Sequence, residues 1–220
     1  MIRISGILIL IRLLIIVSPV SGQAIDPGEL NRITVSNSTG FQLRYLFYSP
    51  TDSKNWGPDL LSQDGGLVDG GRLRFYIHYP GLESSFSFLA VDEDFDMYRI
   101  DRFPVSNGRE AYLDIRLENY LGPGKEMEFR ELVLTNNSRT DIWYLFLSPS
   151  DSITWGVDIL DDESVFIAGD SRRLIFPAVG EFTPYDLLAI DQENSALYAR
   201  LRLNEDSDTW NVEISEEDRR

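Results

Sequence analysis

The 220-residue chain contains no cysteine and a single histidine, His78. Disulfides, thiolate metal sites and cysteine nucleophiles are therefore excluded, and so is a multi-histidine metal centre within one chain. Cations are also scarce: 20 Lys and Arg face 36 Asp and Glu, a formal net charge of −16. That balance excludes nucleic-acid binding by bulk electrostatics, which needs clustered Lys and Arg on the phosphates. No stretch holds a 3.6-residue apolar period over ten residues, so long amphipathic helices are not expected. The sequence has no Gly-x-Ser-x-Gly nucleophile elbow and no phosphate-binding glycine loop. What is present is 43% hydrophobic and 25% charged, the composition of a globular protein.

Residues 1–22 have the layout of a secretory signal peptide. Arg3 gives a positive start, an apolar run follows, and Val20 and Gly22 supply the small residues read at a cleavage site. The longest uncharged run, Leu13 to Ile25, falls short of the ~20 apolar residues of a spanning helix, so no transmembrane span is expected in the mature chain. Cleavage after Gly22 removes Arg3 and Arg12 and no acid, which takes the net charge to −18. The expected location is exported, in the periplasm or at the outer surface of the envelope. An exported protein without cysteine must be held by its apolar core alone.

The strongest signal is internal. At a constant offset of 99, Ile33–Leu61 aligns with Leu132–Leu160 with twelve identities in 29 positions, including a Trp-Gly pair. The same offset places Leu89-Ala90-Val91-Asp92 on Leu188-Ala189-Ile190-Asp191 without a gap. The chain is a tandem duplication, with units expected at 30–118 and 129–215 and a joint at 119–128, where Gly122-Pro123-Gly124 suits a turn.

Within each unit the pattern is β. Short aromatic-rich runs alternate, bounded by Gly, Pro, Asp and Asn clusters. Strands are expected at Gln42–Ser49, Arg72–Tyr79, Ser85–Val91, Met97–Phe103 and Ala111–Leu117, with counterparts in the second unit. The fold class that follows is all-β: two tandem small antiparallel β-sandwich modules after a signal peptide. In the first of these strands Leu43, Tyr45 and Phe47 recur as Ile142, Tyr144 and Phe146, while Arg44 becomes Trp143. The retained face is the expected core face.

The repeated phrase Ser-Pro-x-Asp-Ser-x-x-Trp-Gly-x-Asp-φ-Leu occurs as Ser49–Leu61 and Ser148–Leu160. Proline ends a strand, Asp and Ser can bond nearby amides to tighten a loop, and glycine permits a backbone angle other residues avoid. The second Asp could cap a short helical turn. The phrase reads first as a structural corner with a Trp plug. It reads second as a ligand surface, with Trp56 and Trp155 stacking on a sugar that Asp59 and Asp158 hydrogen-bond.

At this phrase the chain resembles a family of exported bacterial proteins built on a β-rich domain. The likeness runs from the Asn-x-Thr/Ser turn at Asn37 and Asn136 through Trp-Gly-x-Asp to the Leu-x-Ala-φ-Asp strand, and covers both units. It implies an envelope-associated module and no activity. Some members carry an argininosuccinate lyase label. The helices and the Gly-Ser-Ser-x-Met-Pro loop of that lyase are absent from this sequence.

Asp92-Glu93-Asp94-Phe95-Asp96 sets carboxylates at alternate positions, a spacing of oxygen ligands that suits Ca²⁺, with Asp92, Asp94 and Asp96 as the candidates. The second unit keeps only part of this set, and a solvated hairpin tip is the simpler reading. Asn37 and Asn136 match glycosylation sequons and are expected instead to bond strand to turn. The expected function is an exported binding or scaffolding protein of the cell envelope without catalytic activity and without a cofactor. Its partner is an envelope protein or a glycan. The alternatives are a carbohydrate- or peptidoglycan-binding module and a carboxylate-dependent hydrolase.

Overall fold

A computed structural model of the chain describes residues 25–61, 65–78, 83–106, 110–124, 127–178, 184–203 and 207–219. The expected signal peptide, 1–22, lies outside the described residues. The protein is all-β, with several sheets forming sandwich-like modules and no α-helix among the described residues.

The first repeat supplies β1 (Asn31–Ser38), β2 (Leu43–Pro50), β3 (Arg72–His78), β4 (Glu83–Asp92), β5 (Asp96–Ser106) and β6 (Ala111–Arg116). In the stretch expected as the joint, Tyr120–Pro123 form β7, which pairs antiparallel with β5. The second repeat supplies β8 (Phe129–Asn137), β9 (Ile142–Pro149), β10 (Gly156–Asp161), β11 (Ser171–Pro177), β12 (Tyr185–Asp191), β13 (Ala196–Leu201) and β14 (Thr209–Ser215). The strands expected from alternation are all found.

Each repeat contributes two layers. One is antiparallel: β2-β4-β5-β7 in the first repeat and β9-β12-β13 in the second. The other is mixed: β3-β1-β6 and β11-β8-β14, in which β1 runs parallel to β6 and β8 parallel to β14. The antiparallel expectation thus holds for most pairs and fails for these two. In each repeat the last strand returns beside the first, and alternation within a strand carries no information about its partner's direction.

The layers are not confined to their own repeats. β10 pairs with β9 on one side and with β3 of the first repeat on the other, which joins seven strands in the order β13-β12-β9-β10-β3-β1-β6. One apolar core follows, running from Ile33, Leu46, Phe75 and Phe86 in the first repeat to Leu132, Leu145, Leu174 and Leu187 in the second.

The retained face of β2 and β9 is not the centre of that core. A register shift between Leu43 and Tyr45, and another at Tyr144/Ile142, turns the strand so that Leu43 and Ile142 enter the main core with Leu46, Tyr48, Leu145 and Leu147. Tyr45 and Phe47, like Tyr144 and Phe146, face the other side and form two smaller clusters. These outer faces are covered by exchanged segments. Met127 and Phe129, which open the second repeat, pack on Phe47, Leu89 and Val91 of the first; Phe129 stacks on Tyr45 with centroids 4.6 Å apart. Ile25, ahead of the first repeat, and Leu30, which opens it, pack on Phe146, Leu188 and Ile190 of the second. Leu30 and Phe129 are themselves 99 residues apart, so the exchange is reciprocal.

Candidate functional site

The repeated phrase begins where the strand must stop. Pro50 and Pro149 end β2 and β9, and their carbonyls accept from the Ser53 and Ser152 amides at 2.9 and 3.0 Å. The preceding serines close the loop: Ser49 Oγ donates to the Asn55 carbonyl at 2.8 Å and Ser148 Oγ to the Thr154 carbonyl at 2.7 Å.

The aspartates of the two turns do not tighten their own loops. They cross to the other repeat. Ser53 Oγ donates to Asp151 Oδ1 at 2.7 Å, and Ser152 Oγ donates to Asp52 Oδ1 at 3.0 Å. The second oxygens are used as well, Asp151 Oδ2 by Asn55 Nδ2 at 3.3 Å and Asp52 Oδ2 by the Ile153 amide at 3.0 Å. Residue i of one repeat meets residue j of the other, and j meets i, the signature of an isologous two-fold contact.

Tyr48 lies at the middle of this contact. It is fully buried, and its hydroxyl donates to the Leu147 carbonyl at 2.9 Å, 99 residues away. Burial drives its ionisation far above the ordinary phenol range. Both motif glycines pack against its ring. A Cβ on Gly57 would lie 2.5 Å from Cε1, and one on Gly156 would lie 2.7 Å from Cε2. Gly156 also has φ +72°. The expected freedom of backbone angle is thus used at Gly156, while Gly57 is required for close approach.

Asp59 and Asp158 cap no helical turn. Each carboxylate reaches back to its own strand. Asp59 Oδ1 accepts from the Leu46 and Leu61 amides at 2.8 and 3.0 Å, and Asp158 Oδ1 from the Leu145 and Leu160 amides at 2.8 and 3.1 Å. They are 2% and 0% exposed. Burial pushes Asp59 up to about 7 against the two amides that hold it down, and it raises Asp158 well above the carboxylate range. The adjoining backbone makes the cross-repeat sheet contacts: Gly156 and Val157 pair with His78 and Ile77, and the Asp59 amide donates to the Ile175 carbonyl at 2.7 Å. His78, held down to about 4 by burial, sits in that junction, and its carbonyl accepts from Thr154 Oγ1.

The two tryptophans part company. Trp155 is 1% exposed among Phe146, Leu188 and Ile190, with Tyr198 edge-on at 5.9 Å. Trp56 packs on the equivalent cluster but remains half-buried, with the Arg99 guanidinium 5.8 Å from its ring centre. Of the four residues set out as a ligand surface, Trp155, Asp59 and Asp158 are placed as interior groups, and only Trp56 reaches solvent. Neither Trp-Asp pair forms an open sugar platform, because the carboxylate oxygen is turned inward to strand amides.

Asp92 anchors its hairpin. Oδ1 accepts from the Asp94 and Asp96 amides at 3.0 and 2.9 Å, and Oδ2 from the Tyr98 hydroxyl at 3.0 Å. Its counterpart Asp191 repeats the pattern with the Glu193 and Ser195 amides and adds Arg219 at 2.8 Å. Asp94 is exposed, and among the described residues no three His, Cys, Asp or Glu side chains stand together as a metal-binding group. Asn37 is buried, with its amide donating to the Phe41 and Leu67 carbonyls at 2.7 and 2.8 Å, and Asn136 does the same at its own turn. Both act as the strand-to-turn clips expected of them.

The fold and the motif define a class: a tandem-repeat β-sandwich protein whose repeated phrase is an internal interface. No protein-family model matches the chain, and no curated protein matches it. Among solved structures the chain is similar to the crystal structure of a "putative adhesin" from Bacteroides ovatus ATCC 8483, at 10% identity over 86% of this chain and 91% of that one, with a TM-score of 0.23. A likeness at that score carries no functional weight. No helix among the described residues is long and apolar enough to cross a membrane.

Proposed function

We propose that this chain is an exported envelope protein that works by binding, as a rigid two-repeat β scaffold. The observation that carries the reading is the reciprocal contact of the repeats. The polar groups that the duplication retains most closely, Asp52, Ser53, Asp59 and their counterparts, are engaged in internal hydrogen bonds. Residues kept for architecture at this level describe a scaffold, and the amino-terminal leader describes its export. The glycan reading that used two equivalent Trp-Asp pairs is not favoured, since three of those four side chains are interior. The test is fractionation of a diderm host expressing the full chain or the chain lacking residues 1–22, followed by co-sedimentation of the processed protein with washed envelopes. The reading expects leader-dependent export and saturable retention on the envelope. A protein that stays cytoplasmic with its leader intact, or that is exported and never sediments, would overturn it.

A further inference from the structure

The two repeats share most of their strands and differ sharply beside the motif tryptophan. In the second repeat Tyr198 closes over Trp155 and the ring is sealed. In the first repeat the residue 99 positions earlier is Arg99, and the ring of Trp56 borders a groove of about 660 Å³. Lys54, Ser87, Asp101 and Arg102 line the same groove. Ile153 stands in the second repeat where Lys54 stands in the first.

The backbone differs at this point too. Between Phe86 and Phe88 the β4–β5 ladder shifts register: Phe86 faces Phe103 while Phe88 faces Ile100. The corresponding β12–β13 ladder runs without a shift, Tyr185 on Leu201 and Leu187 on Ala199. The first repeat therefore carries one extra residue in a β-bulge. Arg102 occupies that bulge at φ +54°, a left-handed conformation unusual for a non-glycine residue. A bulge re-aims side chains, and this one places Arg102 on the groove wall.

The charge in the groove runs against the molecule. The chain as a whole carries −16, yet among the described residues that line the groove, Lys54, Arg99 and Arg102 stand with one acid, Asp101, which pairs with Arg99 Nε at 2.8 Å, while Asp151 is held by the Ser53 hydroxyl at the groove's edge. Trp56 is held from behind by Phe47, Leu89 and Val91, the Arg99 guanidinium lies over its ring 5.8 Å from the centre, and the half-buried indole gives the groove an apolar edge. An aromatic edge rimmed by cations suits a ligand with an apolar ring face and a carboxylate: the ring packs against the indole while the guanidinium and ammonium groups take the negative charge.

We infer that the groove between Trp56 and Arg102 is a binding site for a carboxylate-bearing sugar, present in the first repeat and built shut in the second. This deepens the binding reading above by naming a ligand class. It is tested with a soluble ligand, so it can fail while export and envelope retention still hold.

The experiment titrates purified protein with oligogalacturonate and, in parallel, with a neutral oligosaccharide of equal length and with oligoglutamate. Tryptophan fluorescence and calorimetry are the readouts. Expected are saturable binding of the uronate with a change in tryptophan emission, no binding of the neutral sugar, and an affinity that falls as salt is raised. Arg102→Gly tests the site without threatening the fold, because glycine accepts the left-handed backbone that arginine resists. That variant should bind roughly tenfold or more weakly at unchanged thermal stability. Trp56→Phe should weaken binding and remove the emission change. No saturable uronate binding, equal binding of oligoglutamate, or an affinity unchanged in Arg102→Gly would each overturn the inference.

Discussion

Substituting Gly156 by alanine isolates the most crowded point between the repeats. Two costs add. The residue sits at φ +72°, where an alanine costs about 1–2 kcal/mol relative to its ordinary conformations. The new methyl would also lie 2.7 Å from Tyr48 Cε2, well inside van der Waals contact. The ring has nowhere to go. Its hydroxyl is tied to the Leu147 carbonyl at 2.9 Å, and its other edge faces Gly57, where a Cβ would stand at 2.5 Å from Cε1. Overpacking a site of this kind costs about 1–3 kcal/mol, so Gly156→Ala should destabilise by about 2–5 kcal/mol in total. Gly57→Ala carries no left-handed cost and should destabilise by about 1–3 kcal/mol. Urea denaturation with a constant m-value measures both. Repeating each substitution in a Tyr48→Leu background, the residue already present at position 147, separates the terms. There Gly57→Ala should approach neutrality and Gly156→Ala should keep only its backbone cost. If Gly57→Ala costs the same in both backgrounds, the Tyr48 ring is not the steric limit and the account of the interface is wrong.

Three further outcomes follow from the same geometry. Asp59 holds its proton up to about pH 7 in the folded chain, against an ordinary value of 3.8, so stability falls by about 1.4 kcal/mol per pH unit across that window, about 4 kcal/mol in all. Asp158 adds in the same direction; His78, held down to about 4 by burial, opposes them between about pH 4 and 6.5, while the depressed carboxylates Glu110, Asp114, Asp191 and Glu216 oppose them only below the ordinary carboxylate range. Thermal denaturation from pH 4.5 to 8 should show falling stability, and Asp59→Asn, which keeps the Oδ1 acceptor for Leu46 and Leu61, should flatten the slope; a stability that rises with pH would refute the assignment. Trp155→Ala should cost about 3–5 kcal/mol in chemical denaturation, and a loss below about 1 kcal/mol would contradict its place as a plug. A chain truncated after residue 124 loses Phe129 from its outer face and the β10 partner of β3, and should show no cooperative unfolding transition; a sharp transition would mean that the first repeat stands alone.

Much of the fold was legible because its signals are local. Alternation marked the strands, proline marked the ends of β2 and β9, and the Asn37 and Asp92 turns are closed by partners within a few residues or one strand away. The interface was not legible, since its bonds join residues about 99 apart and nothing in the phrase itself says that Asp52 answers to Ser152 rather than to its own loop. The same holds for the outer faces. Tyr45 and Phe47 look like core by retention, and they are covered, but by Phe129, a residue outside their own unit. One signal pointed the right way. Polar residues that recur along with the apolar ones, Asp52 and Ser53 with Asp151 and Ser152, are what a self-complementary contact requires, because each is used twice, once on each side.

Equivalence must break where the two repeats meet themselves. A residue on the axis of a two-fold contact faces its own copy, and there is room for one large side chain, not two. Position 48 and position 147 lie there, and they are Tyr and Leu. The tyrosine of the first repeat fills the space and bonds the backbone of the second, and both glycines stay small to receive it. A symmetric pair of tyrosines would overfill the site; a symmetric pair of leucines would leave the phenol's volume empty and the Leu147 carbonyl without its hydroxyl. Fusion of the repeats in one chain is what allows this asymmetry, since a homodimer must carry the same residue on both sides. The same freedom accounts for the groove beside Trp56. Once the copies no longer had to match, one could seal its tryptophan under Tyr198 while the other kept Arg99 and a bulged Arg102 at an open edge. The interface holds both repeats in register, and the divergence it permits is where a function distinct from architecture can sit.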